Sequence, residues 1–531
     1  MKILLVNPTG HKIGMDHFLK APPLGLMILA ATVPDHDVEI LDLRNYKYSP
    51  GYFEKKVQKF DLLGVSASTS MINDALKLCK IAKDHDVKTI IGGYHASLVP
   101  ETAMYPQVDL TVRGEGEITF PEVINTLENS NDLKQDLKEI KGINFKNDSK
   151  LYQTENRPLI NLNDSPFPRR DLVEKYHYHY FWATIETLES SRGCPHQCHF
   201  CCISHHWGRG WRSKSPERII EEFHHMDRKK NWFVFNDSES TLNMKRIEKI
   251  CDLTMEYGYH RKWKSCQGRV DDIVKNPHII DKMADAGWRM MFIGIESIHQ
   301  KSLDTIGKRI SINQIRKAVK MLHDRGITIF GSIIIGNIGE TKADVMKTIH
   351  FAEDLSIDIM QFTPLTPYPK TDLYKQAKQN GWIIDEDFTN WNLVNPIMRT
   401  PDLSTEEIFE LVKYAYRNFY FRLREKMHKS FFIRSGIRFL LNPRFWWFWK
   451  MARKFIVGGI KVAPDFMADL KSKEYLEIER QREEKKRLKQ LKKLEKKKKK
   501  EEKVKKNSKK RSLSLNKKIE PLLVTKIRKS D

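Results

Sequence analysis

Short, nearly continuous apolar runs alternate with helix-like stretches twice along this chain, and no other feature restricts the fold as much. In the first series the runs are 2–7, 38–43, 62–67, 89–93 and 110–113, with helical stretches at 72–85 and 117–127. Runs without polar interruption suit strands covered on both faces, as in a parallel sheet. The series predicts a Rossmann-like, doubly wound sheet over residues 1–130, with ligand contacts at the carboxyl ends of its strands. Those ends read Asn7-Pro8-Thr9-Gly10, Ser66-Ala67-Ser68-Thr69, Gly92-Gly93-Tyr94-His95 and Arg113-Gly114-Glu115-Gly116-Glu117. No G-x-G-x-x-G follows the first run, which argues against a dinucleotide. Residues 131–180 are polar and punctuated, as in Asn163-Asp164-Ser165-Pro166-Phe167-Pro168, and read as a linker between domains.

The second series has runs at 183–188, 233–236, 262–270, 290–296, 328–335 and 357–363. Helical stretches at 216–228, 244–257, 277–286, 312–325 and 342–355 separate them. Ser215-Pro216 supplies an N-cap and a proline at the first helical position. Six strand–helix units predict an open, partial (β/α)6 barrel over residues 181–375, with its site at the carboxyl ends of the strands. The fold class is therefore α/β, followed by an α-helical C-terminal extension at 376–470 and a Lys-rich tail at 471–531.

The chain holds seven cysteines, three of them in Ser191-Arg192-Gly193-Cys194-Pro195-His196-Gln197-Cys198-His199-Phe200-Cys201. Thiolates bunched on one loop after a strand can surround a soft metal centre. Four-iron clusters usually take four cysteines, so three would leave one iron open for chemistry. A zinc site would need a fourth ligand from His196, His199, His205 or His206, and the second knuckle usual for zinc is absent. Cys202 directly follows Cys201, and neighbouring side chains point apart, so it is not counted as a ligand. Cys251 and Cys266 read as small core residues. Cysteine usage, with an opening run too short for a signal peptide, points to a reducing cytoplasm. No run of about 18 apolar residues predicts a membrane span.

C-x3-C-x-aromatic-C after a strand, with Arg-Gly just before it, resembles the radical S-adenosylmethionine (SAM) superfamily. The resemblance implies a [4Fe-4S] cluster held by Cys194, Cys198 and Cys201, with SAM on the fourth iron, and a 5'-deoxyadenosyl radical formed by one-electron cleavage. Phe200, inside the loop, is carried as a cofactor contact. The second series matches the family's SAM-binding strand ends. Asn236-Asp237-Ser238-Glu239 is similar to the acidic segment near the SAM amino group, and Gln267-Gly268-Arg269 ends the third strand. Gly294-Ile295-Glu296-Ser297 is similar to the ribose-contacting stretch. Gly331-x4-Gly336-x2-Gly339-Glu340 is similar to the segment that packs on adenine. Carboxylates there can accept hydrogen bonds from an amine or from ribose hydroxyls.

A Rossmann-like domain ahead of such a barrel resembles the cobalamin-binding radical SAM enzymes. Gly64, Ser66, Gly92, Gly93, Gly114 and Glu115 match the small strand-end residues that admit the corrin ring in that family. D-x-H-x-x-G, which supplies a histidine to cobalt elsewhere, is absent, and His95 reads as a loop residue. The resemblance implies either carbon methylation, with cobalamin relaying the methyl group, or oxidative ring closure. It also implies an electron donor such as ferredoxin or flavodoxin.

From about residue 403 the character changes. Thr405-Glu406-Glu407 opens a helix rich in Tyr and Phe, and Phe439 to Trp449 sets six aromatics among Arg438, Arg444 and Lys450. Such a segment suits the headgroup region of an anionic membrane; packing on the barrel is the competing reading. This extension resembles members acting on hydrophobic substrates, among them the anaerobic magnesium-protoporphyrin monomethyl ester cyclases and lipid-modifying enzymes. The expected location is the cytoplasm, at or near the inner membrane face. Residues 471–531 hold 26 Lys and Arg against 10 Asp and Glu, which is +16 of the total of +24. The basicity is thus mostly a solvated tail, and a nucleic-acid partner is not expected.

Two other classes remain to be weighed. An RNA-modifying methylthiotransferase would carry three more cysteines in its first domain, where only Cys79 occurs before residue 180. A non-catalytic cobalamin-binding sensor would have no use for the three-cysteine loop and the SAM-type strand ends.

Overall fold

A computed structural model describes residues 1–9, 19–45, 50–180, 183–355 and 357–421. All of them belong to one compact unit, Met1–Asn442. Gly10, the aromatic stretch at 439–449 and the Lys-rich tail lie outside the described residues.

The first sheet has seven strands in the spatial order Asp37–Asp42, Lys2–Asn7, Leu62–Ser66, Lys88–Gly92, Leu110–Val112, Ile143–Asn147 and Lys150–Gln153. The first five run parallel; the last two are antiparallel. Alternation along Lys2–Asn7 explains the two-sided burial. Ile3 and Leu5 face a core that includes Met27 and Phe120, from helices Leu24–Ala31 and Thr119–Asn129. Leu4 and Val6 face Phe53, Ala75 and Cys79, from helices Pro50–Val57 and Ile72–Lys83.

Residues 131–180 are not simply a linker. They contribute helix Leu133–Glu139 and the hairpin Ile143–Asn147/Lys150–Gln153, which extends the first sheet. Their strands are short and polar on one face, as an edge hairpin half in water should be, so no buried-strand signal marks them. Ile143 and Phe145 still bury completely.

The second sheet orders its strands as Ile359–Pro364, Thr328–Ile335, Trp288–Glu296, Trp263–Gly268, Trp232–Phe235, Ala183–Leu188, His179–Tyr180 and Leu19–Lys20. The first six are parallel, and helices Met244–Glu256, Pro277–Asp285, Ile312–Asp324 and Lys342–Asp354 connect them. Ser215 caps helix Pro216–His224 by accepting from the Arg218 amide, as its Ser-Pro pair predicts. Ser311 and Thr341 close reciprocal capping boxes with Gln314 and Asp344. The two-residue strands at the far edge bring residues 19–20 from the chain start onto the second sheet, a pairing no local pattern announces.

Helix Thr405–Phe421 lays Ile408, Leu411, Val412, Ala415 and Phe419 into the barrel core. Tyr416 and Phe419 sit against Phe362, with ring centroids 5.4 and 5.9 Å away. These aromatics therefore cap the barrel, the competing reading for this part of the extension. Among the described residues no helix is long and apolar enough to cross a membrane.

Candidate active site

The cysteine loop hangs from a hairpin. Ala183–Leu188 leads through Glu189 and Ser190 into Ser191–Cys194, which pairs antiparallel with Gly210–Ser213. Gly193 has φ +85°, and a Cβ there would run into the carbonyl of Gly210, so the close stem requires glycine. One carboxylate pins the stem. Asp237 Oδ1 accepts the amides of Ser190 (2.6 Å) and Ser191 (3.0 Å), and Oδ2 accepts the hydroxyls of Ser190 (2.5 Å) and Ser240 (2.9 Å). Further along, His199 N donates to Ile306 O and Leu373 N donates to His199 O, both at 3.0 Å. Phe200 packs on the apolar cluster of Ile306, Ile334, Leu365 and Leu373.

Cys194, Cys198 and Cys201 are free and half-buried. Burial pushes the Cys201 thiol up to about 12, with smaller contributions from Cys202, Cys198 and Cys194. Burial also raises Cys194 and Cys198. Thiols that disfavour one another's ionisation share one locality, and a cationic centre among them would reverse that effect. Three thiols on one loop, with no carboxylate in it, suit an iron–sulfur cluster better than a hard ion. Among the described residues no three His, Cys, Asp or Glu side chains gather as for a single metal ion. Cys202 instead stands at the N-cap of Ile203–Trp207, its thiol raised by burial to about 11.

The barrel's strand ends surround this loop. Glu239 is 2% exposed and accepts from the Thr241 amide (2.8 Å) and hydroxyl (2.6 Å). Burial raises its carboxyl to about 7. Its own backbone carbonyl accepts from Ser191 Oγ and Trp211 Nε1, tying it to both arms of the hairpin. Arg269 is buried and donates to Asp271 at 2.9 Å, and its charge reaches Glu239, Cys194 and Cys198. Glu296 adopts φ +62°, sparsely used by a non-glycine residue, at a bulge in its strand. Its carboxylate accepts from Lys308 Nζ at 2.9 Å. Burial works against the Lys308 ammonium, but Glu296 and Cys198 outweigh it and hold its pKa above the usual value. Gly294 leaves the room: a Cβ there would lie 2.5 Å from Lys308 Nζ. Nothing local in the sequence marks Lys308, a lysine in a loop. Gly336, at φ +83°, would press a Cβ onto Ile408 at 3.0 Å, so it seats the capping helix; no contact ties it to the groups above.

The first sheet presents its carboxyl ends to the same loop. Helix Tyr94–Leu98 meets Ile203–Trp207: Trp207 Nε1 donates to Tyr94 Oη at 3.1 Å, and the Tyr94 and His206 rings stack at 4.0 Å. Gly93, at φ +91°, would set a Cβ 3.0 Å from Ala67 O and 3.1 Å from Ser66 Oγ, so glycine lets two strand-end loops touch. Gly92 ends its strand, and Gly114, at φ +65°, faces the carbonyl of His206 at 3.8 Å from its Cβ position. These positions leave the strand ends without side-chain bulk. His206 Nδ1 is a buried polar atom without a hydrogen-bond partner beside them. Small strand-end residues beside an orphaned polar atom fit a large planar ligand.

Two expected positions differ. Gly64 lies inside its strand, between Leu5 and Ile90, where a Cβ would come 2.8 Å from Leu5 Cδ2; it makes room for packing. Glu115 is spent on protein partners, accepting from Arg192 Nη1 and Arg212 Nη2, each at 2.8 Å, and from the Ile160 amide at 2.9 Å. Although burial opposes it, these guanidinium groups keep its carboxyl below the ordinary range. His95 is buried against Phe388, and burial lowers it to about 4.

The comparisons agree with this geometry. The family model for the radical SAM superfamily matches residues 188–352, and that for the B12 binding domain matches residues 12–124. The chain is 35% identical to an uncharacterized methyltransferase of Pyrococcus horikoshii, over 83% of this chain and 98% of that one. It is 27% identical to the anaerobic magnesium-protoporphyrin IX monomethyl ester cyclase of Rubrivivax gelatinosus, over 81% and 78%. The radical SAM methyltransferase TsrM from Kitasatospora setae, solved with cobalamin and a [4Fe-4S] cluster, shares the fold. Its TM-score is 0.59 at 16% identity, over 72% of this chain and 75% of that one. With both domains matched in this order around one cysteine loop, the chain belongs to the cobalamin-dependent radical SAM enzymes.

Proposed function

We propose that this enzyme methylates an unactivated carbon of a hydrophobic substrate, of tetrapyrrole or lipid type. The observation that carries the reading is the position of the cysteine loop, faced by the carboxyl ends of both parallel sheets. When bound, the cluster and SAM supply the radical that removes a substrate hydrogen, and cobalamin supplies the methyl group. Cys194, Cys198 and Cys201 hold the cluster, and the Phe200 anchor seats their loop. Glu239 accepts the SAM amine, Glu296 takes the ribose hydroxyls while Lys308 holds its carboxylate, and Arg269 faces the SAM carboxylate. Ser66, Gly92, Gly93 and Gly114 border the corrin. Residues 1–130 form the cobalamin unit and 181–375 the radical unit.

Methylation is preferred to ring closure because the relative at 35% identity is named an uncharacterized methyltransferase, whereas the cyclases match at 25–27%. Anaerobic reconstitution with SAM, cobalamin and a reduced ferredoxin or flavodoxin, against extracted porphyrins and lipids, tests the reading. A product heavier by one methylene supports it; a product of unchanged carbon count, or none from either extract, rejects it.

The segment at 439–449 supports docking at an anionic membrane, where interfacial Trp adds apolar area and each nearby cation adds on the order of 1 kcal/mol. Trp446, Trp447 and Trp449 changed together to Ser should abolish sedimentation with anionic vesicles while the protein stays folded. A parent that never sediments would refute docking.

A further inference from the structure

One guanidinium joins the first sheet to the cysteine loop. Arg192 lies two residues before Cys194, and its side chain is 4% exposed. Nη1 donates to Glu115 at 2.8 Å, Nη2 to Glu117 at 2.6 Å and Nε to Glu189 at 2.6 Å. The same group lies 4.9 Å from the Trp207 ring. Glu115 and Glu117 follow the strand Leu110–Val112 of the first sheet, whereas Glu189 follows Ala183–Leu188 of the second. Arg212, on the other arm of the hairpin, adds its bond to Glu115.

Buried ion pairs of this kind contribute little net stability, because desolvation offsets the attraction. What a planar fork does supply is direction: three bonds from one rigid group fix both distance and orientation. The residues fixed are the turn Gly114–Glu117, at the mouth of the first sheet, and the strand that ends at Cys194.

We propose that Arg192 and Glu117 are positioning residues: their clasp sets the separation of cobalamin from the cluster and SAM. Arg192 acts through the backbone of Cys194, and Glu117 acts through the turn beginning at Gly114. Neither touches the reacting atoms.

Glu117→Gln is the test variant, because Glu115 and Glu189 still hold Arg192 and the cysteine loop itself is untouched. The readout is electron spin relaxation of cob(II)alamin beside the reduced cluster, which depends steeply on their separation. With iron and corrin contents equal to the parent's, the mutual relaxation enhancement should fall, and Arg192→Lys, which keeps the charge but loses the fork, should shift it likewise. An unchanged enhancement in Glu117→Gln overturns the proposal. Loss of cobalamin from that variant also overturns it, since Glu117 would then belong to the corrin site.

A second readout rests on the methylation reading. With SAM, cobalamin and titanium(III) citrate, the sulfonium methyl passes to cobalt(I), whose electron pair forms the new bond, leaving S-adenosylhomocysteine. Reductive cleavage instead leaves methionine and 5'-deoxyadenosine. In Glu117→Gln, S-adenosylhomocysteine formation should fall severalfold, short of the roughly 10²-fold cost of a full ångström misplacement, because Glu115 still ties the same turn to Arg192. 5'-Deoxyadenosine formation should hold. Equal losses in both, or none, refute the clasp. A parent that forms 5'-deoxyadenosine but no S-adenosylhomocysteine refutes methylation, and the relaxation measurement still judges the clasp.

Discussion

Asp237→Ala removes one buried carboxylate and strands four donors at the stem of the cysteine hairpin. Asp237 is 6% exposed, and it alone receives the amides of Ser190 and Ser191. The two serine hydroxyls can rotate to other acceptors; the two amides cannot. A buried donor left unpaired costs about 1–3 kcal/mol, so the amides together cost about 2–6 kcal/mol. Removing a buried charge recovers part of that through relieved desolvation, which places the expected loss nearer 2 than 6 kcal/mol. Asp237→Asn keeps one acceptor oxygen for both amides and should lose about 1 kcal/mol. Urea unfolding of the apoprotein reads the loss as a lower midpoint at unchanged slope. Hydrogen exchange at Ser190 and Ser191 should quicken first, and cluster uptake should drop although no cysteine has changed. Stability within about 0.5 kcal/mol of the parent, with full cluster uptake, would refute the claim that Asp237 holds the stem.

Replacing Cys194, Cys198 or Cys201 by Ala should abolish the cluster's absorbance, whereas Cys202→Ala should retain it; the opposite pattern for Cys198 and Cys202 would reverse the ligand assignment. Gly193→Ala drives a Cβ into the Gly210 carbonyl, so it should lose cluster assembly without losing the far-ultraviolet signal of the sheets. Glu239 accepts an amine N–H more strongly as a carboxylate than as a neutral carboxyl, and burial raises its carboxyl to about 7. SAM affinity should therefore rise as pH passes upward through about 7, and Glu239→Gln should bind more weakly with no such dependence. Electron paramagnetic resonance of the cobalt(II) form should show no protein-nitrogen splitting at cobalt, and His95→Ala should leave the spectrum unchanged; a splitting that this variant abolishes would make His95 a ligand.

What the sequence discloses here is what neighbours in the chain decide. Ile3 to Val6 and their counterparts bury as uninterrupted runs predict, and Ser215-Pro216 starts a helix where it should, because burial and capping act over a few residues. The proposed cluster ligands Cys194, Cys198 and Cys201 stand out in the sequence because a cluster would impose a spacing on one loop. The proposed SAM contacts Glu239, Arg269 and Glu296 stand out because they follow parallel strands, whose carboxyl ends lie together at one end of the sheet. Gly64 and Gly93 show the limit: glycine admits either a close packing neighbour or a turn, and only the register places Leu5 over the former. Partners far apart in the chain leave no local trace. Glu115 reads as a strand-end residue, yet the two arginines that occupy it come 77 and 97 residues later. Lys308 meets Glu296 at a bulge in the glutamate's strand, a contact that neither residue's neighbours in the chain announce. The edge strands Leu19–Lys20 and His179–Tyr180 are too short to carry a period.

A cysteine loop that holds a SAM-cleaving cluster opposite a cobalamin domain must yield 5'-deoxyadenosine on reduction. The deciding experiment is 5'-deoxyadenosine formation by reconstituted protein carrying about four irons per chain, on reduction with SAM and cobalamin present. The expected result is 5'-deoxyadenosine from the parent, stoichiometric cobalamin retained through gel filtration, and no 5'-deoxyadenosine from Cys198→Ala. A parent protein that carries its full iron yet forms no 5'-deoxyadenosine, or that releases all its cobalamin, would contradict it.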